Sequence, residues 1–192
     1  MSAISIRPAS AEAFGDAEHA LTGGGDGASC WCQWWMLPAK EFDATTREER
    51  RERLRDDLRA QPPSALIAYV DGEAAGWVKV SSRVDQPRLA RTRNVQASPE
   101  PMNDPSVWAV TCFVVRKEHR GHGLATALLD AAVDHAAANG ARVIEGYPVD
   151  TDAKKTTANE LFHGALATFL AAGFTETARP QPARPIVARP LR

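Results

Sequence analysis

The stretch that most constrains this chain is VWAVTCFVVRKEHRGHGLATALLD, residues 107–130. Its near-continuous apolar opening, residues 107–115, has the pattern of a central strand covered on both faces. That strand feeds a short basic turn with two glycines, and the turn feeds a helix of leucine and alanine. Gly121 and Gly123 permit positive φ and leave no Cβ between backbone amides and a ligand. The first amides of the helix have no intrahelical acceptor, and with the helix dipole they attract an anion. Arg120 adds a guanidinium fork, and Thr126 adds a hydroxyl in the first turn. A pyrophosphate suits such a cradle. The turn is not a Walker A loop, because G-K-[ST] is missing, and it is not a G-x-G-x-x-G dinucleotide turn.

The rest of the chain predicts a mixed α/β domain around this unit. Residues 2–8 alternate as a first strand, and Ser10 is placed to cap a helix reaching about residue 21. The glycine run 23–27 reads as a flexible loop. Thr46 and Glu49 form a capping box for a charged helix reaching about residue 59. Residues 65–70 and 75–81, joined through Asp71-Gly72, read as a hairpin. Residues 86–104 read as a long polar loop carrying Arg88, Arg91 and Arg93. A helix is predicted over 124–139, ending at Gly140, and a strand over 142–149. A second helix is predicted over 157–172, with Leu161, Ala165 and Phe169 at four-residue spacing, and a last strand over 185–191. No repeat or linker divides the 192 residues, so one domain is expected over 1–192.

With 44% apolar residues the chain is expected to be globular. Its net charge of −1 gives no general attraction to nucleic acid or anionic lipid. The first residues have no signal-peptide pattern, and no apolar run is long enough to span a bilayer. Three cysteines do not make a disulfide framework. A cytoplasmic protein is expected.

Arg120-Gly121-His122-Gly123-Leu124-Ala125 has the form R-x-x-G-x-A, which resembles the acyl-CoA motif of the GNAT superfamily of N-acyltransferases. Residues 115–119, V-R-K-E-H, resemble the V-x-P-E-Y that precedes it, with Lys117 in place of proline, and Ala172-Gly173-Phe174 resembles the family's A-G-F. The resemblance implies a twisted, mostly antiparallel sheet whose middle strands splay apart, flanked by helices. It also implies acetyl-CoA as co-substrate; no metal is expected, because the cysteine spacing is poor for one. The pyrophosphate would lie on the amides of Gly121, His122, Gly123, Leu124, Ala125 and Thr126. The pantetheine arm would run along Phe113, Val114 and Val115. Leu124 and Leu128 would anchor the helix, and Arg116, His119 and His122 would either touch the 3′-phosphate or face water, the second being the favoured reading. The implied activity is N-acetyl transfer to a primary amine of a small molecule. The alternatives are a protein or peptide acetyltransferase and a non-catalytic CoA sensor. Neither nucleic acid nor membrane is expected as a partner, and a homodimer stays open.

Acyl transfer to an amine needs a base, an oxyanion donor near Val114 or Val115, and a proton for the leaving thiolate. Here the chain departs from the family. Phe169 stands at the usual tyrosine, and Phe162 at the usual asparagine. Tyr147 is therefore nominated as acid, with Glu145 as base on the same side of its strand. The alternative, Tyr147 as core and Glu145 as a structural partner, stays open, and His163 is a further candidate base. In Cys30-Trp31-Cys32-Gln33-Trp34-Trp35, the cysteine spacing is poor for a metal. Trp31, Trp34 and Trp35 are nominated as an acceptor wall, the alternative being a core plug. The loop arginines have the same two readings, guidance of an acidic acceptor or solvation.

Overall fold

The computed structural model describes residues 3–157 and 160–191. The described strands are β1 (Ile4–Pro8), β2 (Ala65–Val70), β3 (Glu73–Ser82), β4 (Val107–Val115), β5 (Val143–Gly146), β6 (Thr175–Gln181) and β7 (Arg184–Pro190). They form one sheet in the order β1-β2-β3-β4-β5-β7-β6. Only β4 and β5 pair in parallel. The apolar run therefore sits in the middle, as its pattern predicts, and the fold is the expected mixed α/β class.

The sheet opens between β4 and β5. Their register covers only Val107↔Val143 to Val110↔Gly146. Beyond that, β4 continues to Val115 with β3 on one side and no strand on the other among the described residues. The strand expected over 142–149 is thus shorter. Its end has two local causes. Gly146 lies under the Phe169 ring, and Pro148 has no N–H for a ladder. Val149 pairs again only as an isolated bridge with Ala165.

A bulge sits beside the opening. Lys79 faces Cys112 while Val80 faces Val110, so Thr111 is an extra residue in β4. The extra residue reverses the side-chain alternation. Trp108, Val110 and Phe113 face one core, while Cys112 and Val114 face the other. The carbonyl and the hydroxyl of the bulged residue are both bonded. Its carbonyl accepts from Trp35 Nε1 at 3.1 Å, and its hydroxyl donates to Gln86 Oε1 at 2.7 Å.

Six α-helices are described: α1 (Phe14–Thr22), α2 (Gly27–Cys30), α3 (Ala39–Ala44), α4 (Arg47–Asp57), α5 (Leu124–Ala138) and α6 (Leu166–Ala171). α5 lays Leu124, Leu128, Leu129, Ala132, Val133 and Ala136 on the first core. Each buried leucine there contributes about 1.5–3 kcal/mol. The second core lies between the sheet and α1, α2 and α4. The Thr46–Glu49 capping box of α4 is present.

Several expectations are corrected. Ser10 caps only a 3-10 turn, Ala11–Ala13, and makes no side-chain cap bond. Gly27 opens α2, and Gly23 and Gly24 press against Arg116, Lys117 and Arg120, so the glycine run is packed where a flexible loop was expected. The helix expected over 157–172 is broken. A 3-10 turn, Glu160–His163, precedes Gly164 at φ +80°, extended Ala165 and then α6. Val149 causes the break by bonding the Gly164 carbonyl and the Leu166 amide. Ala158 and Asn159 of that expected helix lie outside the described residues. β6 was not foreseen, because TETARPQ has no apolar face: it is a charged edge strand. A Cβ on Gly146 would stand 2.2 Å from Phe169 Cε1. Gly146→Ala is expected to cost about 1–3 kcal/mol by overpacking, measurable in chemical denaturation.

Candidate active site

A cavity of about 570 Å³ occupies the opening beside β4. At one end lies the turn before α5. Gly121 and Gly123 have φ +79° and +77°, and no atom lies within 4 Å of where their Cβ would be. No side chain caps α5, and its first intrahelical bond is Ala127 N–H to the Gly123 carbonyl. The amides of Leu124, Ala125 and Thr126 therefore have no helical acceptor. Arg120 Nε donates to the Val115 carbonyl at 3.0 Å, which folds its guanidinium back along the turn. Gly121, Gly123, Leu124, Ala125 and Arg120 line the cavity, together with Phe113, Val114 and Val115 of the unpaired strand edge. His122 and Thr126 are exposed and outside the lining. The packed glycine run, Gly24 to Gly27, supplies a further wall, a role that no signal beyond the glycines themselves announces in the sequence.

The other end is aromatic and sulfurous. Trp34, Trp35, Phe42, Phe162 and Phe169 line it with Cys30, Cys32 and Cys112. Trp34 is partly exposed at the mouth. The Arg88 guanidinium lies 3.5 Å from its ring centroid and donates to its carbonyl at 3.3 Å. Arg88 thus holds a wall in place rather than reaching for an acidic acceptor. Trp35 is fixed by its bond to the bulge. Trp31 departs from its expected place. It is buried among α1 and α4, near Arg47 and Arg51, and is not in the lining. The segment thus divides between core and wall.

Tyr147 and Glu145 also depart from their nominated places. Neither lines the cavity. Glu145 is wholly buried and accepts from Arg83 Nη1 at 2.6 Å, from Ser98 Oγ and from Tyr147 Oη at 2.8 Å. Burial first, then the Glu145 charge, holds the Tyr147 hydroxyl well above its usual range. This network ties β5 to residues 83–104; a 3-10 turn, Arg83–Asp85, opens the segment, and two more occur within residues 86–104, where a loop was expected. His163 is buried against Phe162 and Trp35, and burial pushes its pKa well below the ordinary histidine value. Among the described residues, no group of three or more His, Cys, Asp or Glu could hold a metal.

The acetyltransferase (GNAT) family model matches residues 31–163 of the sequence. The chain belongs to that family. The fold agrees with solved GNAT-type structures at low sequence identity. The PaiA N-acetyltransferase of Thermoplasma acidophilum, solved with coenzyme A, is 14% identical, with a TM-score of 0.57, over 98% of this chain and 99% of that one. An N-acetyltransferase of Staphylococcus aureus is 16% identical over all of both chains, also with a TM-score of 0.57. The diaminobutyrate acetyltransferase EctA of Paenibacillus lautus, solved with its substrate and coenzyme A, is 15% identical over 98% and 95%, with a TM-score of 0.52. No protein of curated function matches the sequence significantly.

As a GNAT acetyltransferase the chain must place its reacting groups inside the cavity. The Tyr147 hydroxyl is buried outside the lining and already donates to the buried Glu145 carboxylate. Removing Arg83 would leave the Glu145 charge unpaired. Arg83→Ala is therefore expected to cost about 3–5 kcal/mol in thermal or chemical unfolding. Tyr147→Phe keeps the Arg83–Glu145 pair and is expected to cost only about 0.5–1.5 kcal/mol, with the acetyl-transfer rate unchanged.

Proposed function

We propose that this GNAT enzyme moves an acetyl group from acetyl-CoA to the primary amine of a small molecule with an apolar body. The observation that carries the reading is one continuous cavity. It runs from the uncapped N-terminus of α5, along the free edge of β4, to an end walled by Trp34, Trp35, Phe42 and Phe162.

The cradle suits coenzyme A. It presents free amides and open space at the two glycines, with Arg120 beside them. Gly121 to Thr126 would hold the pyrophosphate, with His122 and Thr126 at its outer side. Phe113, Val114 and Val115 would pair with the pantetheine arm, although Arg120 already occupies the Val115 carbonyl. Acetyl-CoA, when bound, supplies an activated acetyl thioester. The amide of Val114 or Val115 is the candidate donor to the oxyanion. The walled end favours a compact acceptor over a polypeptide in an open groove. Asp26 is the one carboxylate in the described lining and is exposed, so a second cationic group on the acceptor would find no buried partner. Among the described residues no helix is long and apolar enough to cross a membrane.

Gly123→Glu places a negative side chain in the cradle. CoA affinity is expected to fall at least tenfold, about 1.4 kcal/mol, in calorimetry on folded protein. An acceptor screen reading free CoA thiol is expected to rank arylalkyl and alkyl amines above diamines. Trp34→Ala should then raise the acceptor KM and spare CoA affinity. Normal CoA binding with no transfer to any amine or peptide would favour the sensor reading.

A further inference from the structure

With Tyr147, Glu145 and His163 outside the cavity lining, few groups in that lining can exchange a proton. They are Asp26, Cys30, Cys32, Cys112, His119 and Arg120. Asp26 is exposed on the glycine run, and His119 and Arg120 belong to the turn before α5. The acceptor end has only the three thiols.

The thiols are not equivalent. Cys112 is turned toward them by the Thr111 bulge. Lys79 lies directly across from Cys112 on β3, on the same face as Trp77. Lys79 is 1% exposed, and among the described residues its ammonium bonds only to Ser64 Oγ, at 3.1 Å. No carboxylate pairs with it among the described residues, and a buried cation without a counter-charge is costly. Cys32 completes the arrangement. It sits at positive φ, +59°, accepts from Trp77 Nε1 at 3.2 Å, and packs in the same buried cluster as Cys112.

We propose that Cys32, backed by Cys112, Lys79 and Trp77, is the group in the acceptor pocket that takes the proton from the incoming amine. The inference rests on the amine-acetyltransferase reading. The unpaired Lys79 charge favours an anionic sulfur in this cluster, and such a sulfur also attracts an ammonium into an apolar pocket. Cys32 takes one proton from R–NH3+ and becomes a thiol. The freed lone pair forms the N–C bond to the acetyl carbon. The C–S bond breaks, the departing sulfur keeps its electron pair, and a second nitrogen proton goes to it. Cys32 returns its proton to water through the cavity mouth. Two protons have left the nitrogen, one to free CoA and one to solvent. Lys79 and Trp77 are positioning residues.

The electrostatics agree with this assignment. The Cys112 hydrogen bond, then the Lys79 charge and the Trp77 N–H, lower the Cys32 pKa, against burial and Asp57 of α4. The Cys112 pKa rises well above the usual range as the donor to Cys32. Burial and the Cys32 charge push Cys30 up to about 11.

The test follows alkylation of Cys32 by iodoacetamide against pH, read by peptide mass on the full chain, beside CoA calorimetry and transfer kinetics. The expected midpoint lies below the ordinary thiol value of about 8.5 and moves up by at least one unit in Lys79→Gln. Cys32→Ser is expected to lower kcat by about 10²–10⁴-fold with CoA affinity unchanged. An ordinary or higher midpoint in the wild type, with CoA bound normally, would overturn the Cys32 assignment alone. So would full kcat in Cys32→Ser. Failure of the wild type to bind CoA would overturn the acetyltransferase reading, and the role of Cys32 with it.

Discussion

One extra residue in β4 organises the site. Thr111 interrupts the pairing with β3, and every side chain after it changes face. Without the bulge Cys112 would point at α5, and Phe113 would point at α1 and α2. With it, Phe113 packs edge-on against Phe169 and Cys112 meets Cys32. The disturbed backbone is not left unbonded. Trp35 takes its carbonyl, while Gln86 takes its hydroxyl and donates to the Ala109 carbonyl. The wall of the cavity and the twist of its floor are therefore one construction. Trp35 cannot move without releasing the bulge.

The opening of the sheet needs a second restraint, because two strands that part company lose ladder bonds. Glu145 provides it from β5. Its carboxylate gathers Arg83, Ser98 and Tyr147, and Arg83 reaches on to the carbonyls of Glu100 and Pro101. A buried ion pair of this kind adds little net stability over an apolar replacement, yet breaking it is costly. Its effect is to fix where β5 stops and where residues 83–104 lie. The carboxylate and hydroxyl that look chemical in sequence thus belong to the frame around the cavity.

Local signals in the sequence were read well. The apolar run, the two-glycine turn, the capping box and the hairpin each depend on neighbours within a few residues, and each appears in place. Most of the misreadings have a long-range cause. Nothing near Glu145 announces Arg83, which is 62 positions away. The four-residue spacing of Leu161, Ala165 and Phe169 imitates a helix face, but Val149 captures the backbone between them. The glycine run looks loose until Arg116 and Lys117 are seen filling the space where Cβ atoms would sit. Trp31, Trp34 and Trp35 form one motif in sequence, and left-handed Trp31 and Cys32 split it between core and cavity. The thiol pair was equally hidden: Cys112 lies in a run whose plain alternation would put it on the opposite face.

The apolar character of the acceptor end also bears on how strong a base it needs. In water an alkyl ammonium with a pKa of about 10.4 gives up its proton reluctantly to a thiolate. The pocket changes both partners. Burial disfavours the charged amine and lowers its pKa, by as much as several units for a fully buried ammonium. The same low dielectric strengthens the attraction between Lys79 and an anionic sulfur. The fall in the amine's value makes transfer inside the pocket less uphill than in solvent, while the Lys79 charge keeps the sulfur in its anionic form at the cost of some basicity. A more acidic group, such as a carboxylate, would hold the ammonium as an ion pair and give it less reason to lose the proton. A neutral histidine would add no counter-charge for Lys79. A thiolate satisfies both demands, and at Cys32 it accepts the Trp77 N–H within a buried cluster.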